Sequence, residues 1–171
     1  VALEFLVTPY FYFDSTSDDW YVICKRMSDY AKTKQWKHPV YVALCFDKTL
    51  LRDNQATERI IRDFSGFDGY VILVSGLNEE VEEATLLRHL RHFVERLWKA
   101  YQKPIINLYG SYFSAILFRC GLFGFSSGLC INDHKDVTVP YVTGRVQIRF
   151  YLPPMHTKLA ESETQTFWVE H

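Results

Sequence analysis

Apolar, strand-like runs return about every 30 residues along this chain, a spacing that leaves room for a helical crossover between parallel strands. The runs are Leu3–Phe13, Val40–Phe46, Tyr70–Val74, Pro104–Leu108, Leu122–Ser126 and Arg145–Leu152, and a helix-like segment follows each of the first four. Val40–Phe46 and Tyr70–Val74 are apolar almost throughout instead of alternating, as expected of strands covered on both faces. The pattern predicts an α/β fold of mainly parallel βα repeats.

The polar positions set the boundaries. Asp14-Ser-Thr-Ser-Asp-Asp19 supplies capping chemistry for a helix of about Asp18–Lys32. A polar helix of about Lys48–Asp63 follows the second run. Asn78 stands where it would cap a long helix of about Glu79–Gln102, in which Leu86, Leu90, Phe93, Val94 and Leu97 recur at helical spacing. A short apolar helix, Tyr112–Arg119, closes at Cys120-Gly121. Pro9 should limit pairing inside the first run, and Pro153-Pro154 stops the last. The stretch 129–144 reads as irregular.

Residues 1–160 therefore read as one βα-repeat domain and 161–171 as a C-terminal tail, polar up to Phe167-Trp168. Six strands are too few for a complete (β/α)8 barrel, which typically takes about 250 residues. The chain reads as a partial or reduced (β/α) barrel, either the later part of a larger barrel or one completed by a partner. The alternative is an open doubly wound sheet. Tyr109-Gly-Ser-Tyr-Phe-Ser114, Gly121-Leu-Phe-Gly-Phe-Ser-Ser-Gly128 and Arg149-Phe-Tyr-Leu-Pro-Pro-Met-His156 together resemble the end of uncharacterised TIM-barrel proteins. The resemblance spans about a quarter of the chain and implies a fold, with no named activity.

Composition narrows the function classes. The 171 residues are 48% apolar and 16% aromatic with a net charge of −1, which describes a filled globular interior without a global field toward nucleic acid or anionic membrane. No apolar run reaches the roughly 20 residues of a spanning helix, and no signal peptide is recognisable. Four cysteines, two of them (Cys24 and Cys45) inside apolar segments, are too few for a disulfide scaffold. A cytoplasmic setting is the expectation.

Parallel sheets gather their chemistry at the carboxyl ends of the strands. Asp14 and Asp47 both follow a strand, so both are expected at that end, where two carboxylates can serve as acid and base or hold a hard cation. Helix capping alone explains each of them equally well. Gly110-Ser111 and Gly124, Ser126, Ser127 and Gly128 offer close backbone approach and hydroxyl donors for a phosphate or carboxylate. Tight turns also demand glycine, and neither segment has P-loop or dinucleotide-fingerprint spacing. Arg145, Gln147 and Arg149 share one strand face, and Arg149 is a further candidate for an anion. Cys120, Cys130 and His134 lack the spacing of a structural zinc site, so no metal is assigned and no cofactor is identified.

Arg88, Arg91, His92, Arg96 and Lys99 form a basic run on the long helix. Four glutamates, Glu79, Glu80, Glu82 and Glu83, are expected in its first turns, an order that the helix dipole favours. A solvated face is the simpler reading, and nucleic-acid binding is the third of three functional expectations. The first is a barrel-like enzyme acting on a small anionic or phosphorylated substrate. The second is a non-catalytic interaction or assembly module, a homo-oligomer or a half completed by another chain, because an incomplete barrel leaves edges to cover.

Overall fold

The computed structural model describes residues 4–126, 135–139, 149–152 and 157–160. Among them run β1 (Leu6–Val7), β2 (Tyr12–Phe13), α1 (Asp19–Lys32), β3 (Val40–Asp47), α2 (Asn54–Asp63), β4 (Gly69–Ser75), α3 (Ala84–Tyr101), β5 (Ile105–Leu108), α4 (Tyr112–Leu117) and β6 (Gly124–Ser126). The main sheet has the order β1-β3-β4-β5-β6, with β2 also beside β3, and every pairing in it is parallel. It curls into an open half-barrel.

One hydrophobic cluster fills one face of the sheet. It joins Val42, Leu44 and Phe46 of β3 and Tyr70, Ile72 and Val74 of β4 to Tyr21 of α1, Ile60 of α2, Leu90 and Phe93 of α3 and Leu117 of α4. Alternate strand residues thus share one face with all four helices. The remaining residues, Ala43, Cys45, Val71, Leu73 and Ser75, are buried on the opposite face. Helices on a single face make a barrel wall; a doubly wound sheet would carry them on both. Phe46 meets Phe93 edge to face at 5.4 Å, and burying such a ring contributes about 1.5–3 kcal/mol.

The first run breaks where Pro9 stands. Leu6 lies opposite Val40 and Tyr12 opposite Cys45, so the edge strand carries one residue more than its partner, the mark of a bulge. Thr8 bridges the gap: its amide donates to the Tyr41 carbonyl at 2.9 Å and its Oγ1 accepts from the Ala43 amide at 3.1 Å. A side chain here replaces a ladder carbonyl.

Helix starts follow the caps. Asp18 accepts from the Trp20 amide and begins α1. The segment read as one helix over Lys48–Asp63 is two. Asp47 caps a 3-10 turn, Lys48–Arg52, and Asp53 then caps α2 through the amides of Gln55 and Ala56. The long helix starts at Ala84, later than its glutamates suggest: Asn78 caps a turn instead, accepting from the amides of Glu80, Val81 and Glu82. Beyond α4, the 3-10 turn Phe118–Cys120 ends at Gly121, whose φ is +101°. A Cβ there would sit 2.3 Å from the Trp98 ring. The last run, described over β7 (Arg149–Leu152), pairs antiparallel with β8 (Thr157–Ala160) in a separate two-stranded sheet.

Asp63 links α1 to α2. It accepts from the Tyr21 hydroxyl at 2.8 Å and pairs with Arg59 and Arg62 at 3.4 Å each. Burial pushes its carboxyl up, yet these donors outweigh burial and hold it below the usual aspartate value. A lowered value contributes stability that is present above the unfolded-state value, about 3.9, and lost as pH falls through the folded one. Urea unfolding at pH 7 and pH 3 should therefore show a larger loss of stability for the native chain than for Asp63→Asn. Thr8→Val should lower stability by about 1–3 kcal/mol by orphaning the buried Ala43 amide, read from the urea midpoint.

Candidate functional site

Parallel register gathers four loops at one end. Phe13 lies opposite Phe46 and Asp47 opposite Ser75, so Asp14 and Asp47 emerge side by side at the carboxyl end of the sheet. Tyr12, not singled out from sequence, lies on the face turned away from the helices, with Cys45 as its strand neighbour. Its hydroxyl donates to Asp47 Oδ2 at 3.1 Å. Burial raises its phenol most, followed by the hydrogen bond and charge of Asp47 and the charges of Asp14 and Asp136, so Tyr12 stays protonated well beyond the ordinary tyrosine range.

The two aspartates differ in what else they do. Asp47 Oδ1 accepts from the Thr49 amide at 2.9 Å and hydroxyl at 2.6 Å, so this carboxylate caps the 3-10 turn and orients Tyr12 at once. Asp14 is exposed and acts on Tyr12 through its charge. The capping expectation for Asp47 holds, and the same side chain also accepts from Tyr12.

Residues 135–139 bring the third carboxylate. The Gly76 amide donates to the Lys135 carbonyl at 2.9 Å, and the Val137 amide donates to Ser75 Oγ at 3.0 Å, pinning this segment to the end of β4. Asp136 accepts from the Thr138 hydroxyl and amide, which hold its carboxyl below the usual value. Lys48 stands nearby, paired with Glu82 at 2.6 Å.

At the β5 end, Gly110 and Ser111 lie where the pattern predicts. A Cβ on Gly110 would stand 2.5 Å from Ser114 Oγ and 3.0 Å from Phe125 Cβ, so close packing requires the glycine. Tyr109 before it holds a left-handed φ of +61°, a conformation costly for a side-chain-bearing residue. The amide of Ser111, a residue that the sequence reading offers to an external anion, and that of Ser114 both donate to Glu79 at 2.8 Å. Gly110 donates to the Ser126 carbonyl and so ties this corner to β6. Gly124 differs from Gly110: a Cβ added there meets no described residue within 4 Å. Among the described residues neither its φ nor crowding demands a glycine.

Of the remaining candidates, Ser127 and Gly128 lie outside the described residues, as do Cys130, Arg145 and His134. Arg149 lies on β7, with its side chain outside the description. Cys120 is half-buried; burial, then hydrogen bonding to Glu95, pushes its thiol up. Among the described residues no group of three or more His, Cys, Asp or Glu side chains is arranged to hold a metal ion, and no helix is long and apolar enough to cross a membrane. Comparison of the chain with protein-family models, with curated proteins and with solved structures finds no match in any of the three.

The groups that sequence reading missed had weak signals. Tyr12 is visible as the residue two before Asp14 on a strand, which alternation puts on Asp14's face. Glu79 and Asp136 had none, because contacts distant in sequence create their roles.

The two glycines should respond oppositely. Gly110→Ala should cost about 1–3 kcal/mol by overpacking, whereas Gly124→Ala should stay within about 0.5 kcal/mol of the native chain. Urea unfolding of the two variants side by side decides it.

Proposed function

We propose that the chain carries an enzyme site at the carboxyl end of its half-barrel, acting on a small anionic or phosphorylated molecule. The observation that carries this reading is the Tyr12–Asp47 hydrogen bond at the carboxyl end of the sheet, where the register also brings Asp14 and where Ser75 holds the segment of Asp136. Structural capping accounts for Asp47, and the Thr138 bonds likewise for Asp136, but neither accounts for the exposed Asp14 beside a protonated phenol. In this reading the Tyr12–Asp47 pair donates and accepts a proton at the reacting group, and Asp14 is the carboxylate free to act as base. The resemblance to TIM-barrel proteins agrees with a site at this end.

Three carboxylates repel an anion, so the substrate's charged group is turned away from them, toward Gly124 and Ser126. Among the described residues nothing stands within 4 Å of a Cβ at Gly124, and the Ser126 hydroxyl is on an exposed residue. The neutral, reacting end of the molecule then meets Tyr12 and Asp47. A cytoplasmic enzyme is part of the same proposal.

The test pairs binding with turnover. A panel of phosphomonoesters at about one hundred times Kd should stabilise the native chain by about 2.7 kcal/mol. Asp47→Asn keeps the capping oxygen and should bind as well or better while losing turnover. Gly124→Leu places a bulky side chain there and should lose the stabilisation without loss of fold. A panel in which no phosphomonoester or carboxylate raises the melting temperature defeats the reading.

A second reading, an assembly module, has its own observation. Both margins of the open sheet expose large apolar side chains: Val7, Tyr10, Phe11 and Trp20 beside β1 and β2, and Ile116, Phe118, Phe123 and Phe125 beside β6. Strand edges with such flanks invite pairing. Light scattering on the native chain and on Phe123→Asp distinguishes an assembling protein from a monomer.

A further inference from the structure

The helical wall carries a groove far from the proposed site. Chain order places it: α2 ends at Asp63 before β4 begins, and α3 ends at Tyr101 before β5 begins. The last turns of both helices therefore lie at the amino end of the sheet. A cavity of about 370 Å³ opens there, between Ile61 and Arg62 of α2 and Arg96, Lys99, Ala100 and Tyr101 of α3. Its volume is at the lower end of small-molecule sites, roughly 300–1,000 Å³.

The groove is short of acceptors. Three cations line it against one carboxylate, Glu58. Glu58 holds Arg96 at 2.8 Å, and Thr57 accepts from the same guanidinium at 3.4 Å. Among the described residues Arg62 donates through Nε alone, to Asp63 at 3.4 Å, and Lys99 has neither a hydrogen bond nor an ion pair. The helix dipoles explain why cations stand in these last turns, but they leave most of the N–H donors without a partner in the chain. Tyr101 joins the two helices, its hydroxyl donating to the Ile61 carbonyl at 2.8 Å. Tyr70 repeats the shortage behind it. The two rings stack with centroids 5.7 Å apart, and the buried Tyr70 hydroxyl has no hydrogen-bond partner among the described residues. Burial keeps that phenol protonated, so it too is a donor without an acceptor, an arrangement that costs stability.

We propose that this groove binds a small aromatic carboxylate. The carboxylate supplies the missing acceptor to Arg62, Arg96 and Lys99, where a guanidinium can offer two parallel N–H groups. The ring lies on the apolar surface of Ile61, Ala100 and Tyr101. A bare anion gains only the charge attraction, which is weak and screened at so open a place. The site is independent of the enzymatic reading, which concerns the opposite end of the sheet.

Titration of the native chain with benzoate, followed by amide NMR shifts, tests this. Saturable shifts should centre on Ile61, Arg62, Lys99, Ala100 and Tyr101. Acetate carries the charge without the ring and should bind at least about tenfold more weakly. Lys99→Glu should weaken benzoate by at least about threefold. Ala100→Trp, at an exposed helical position, should fill the groove and abolish the shifts while the fold is kept. Gly124→Leu should leave the affinity unchanged, which separates this site from the enzymatic one. Shifts that do not saturate, equal binding of acetate, native affinity in Ala100→Trp, or shifts confined to the Gly124 end each overturn the proposal.

Discussion

Burial of β4 on both faces is the constraint on which the structure rests. All seven of its residues are buried, and it pairs with β3 along its whole length. One of its faces carries the cluster shared with the four helices. The other is buried although it belongs to no helix cluster. A strand so placed cannot shift register without exchanging its two faces, and the loops at its end inherit that rigidity.

The carboxyl end of the sheet is built from these loops, and its electrostatics are uneven. On one side a phenol donates to one carboxylate, and the charges of two more raise its pKa. On the other, Glu79 accepts from the Ser111 and Ser114 amides, the Ser114 hydroxyl and the Asn107 side chain. Both arrangements use charge to orient neighbours, but only the second satisfies the charge completely. Asp14, on the first side, is exposed, while Tyr12 is kept in its protonated form. The division separates what holds the end together from what is free to meet another molecule.

Much of the fold was legible in the chain, because parallel βα units leave a strong period and β3 and β4 are apolar without interruption. The start of α1 was legible for the same local reason that it forms: Asp18 precedes the helix and caps it. Errors came where distant contacts override local preference. Glu79 suits a first helical turn, yet it is drawn into the Asn107–Ser114 cradle and α3 begins only at Ala84. Lys48–Asp63 reads as one helix, but Asp53 breaks it by serving as a second cap. Arg145–Leu152 reads as one more strand of the βα series, whereas its described part pairs antiparallel with Thr157–Ala160, to which the pattern assigned no element. In the site, Asp47 and Asp14 were visible from their place after strands. Asp136 was not, since its segment reaches β4 across some sixty residues of chain.

The contact between Trp98 and Gly121 has a consequence for divergence. Gly121 is excluded from substitution twice, by its left-handed backbone and by the indole lying where a Cβ would be. Relief at one residue does not relieve the other: a smaller side chain at 98 opens space but leaves the backbone strained. The pair therefore cannot drift by compensation. Descendants of this chain would keep the glycine long after the tryptophan had been replaced.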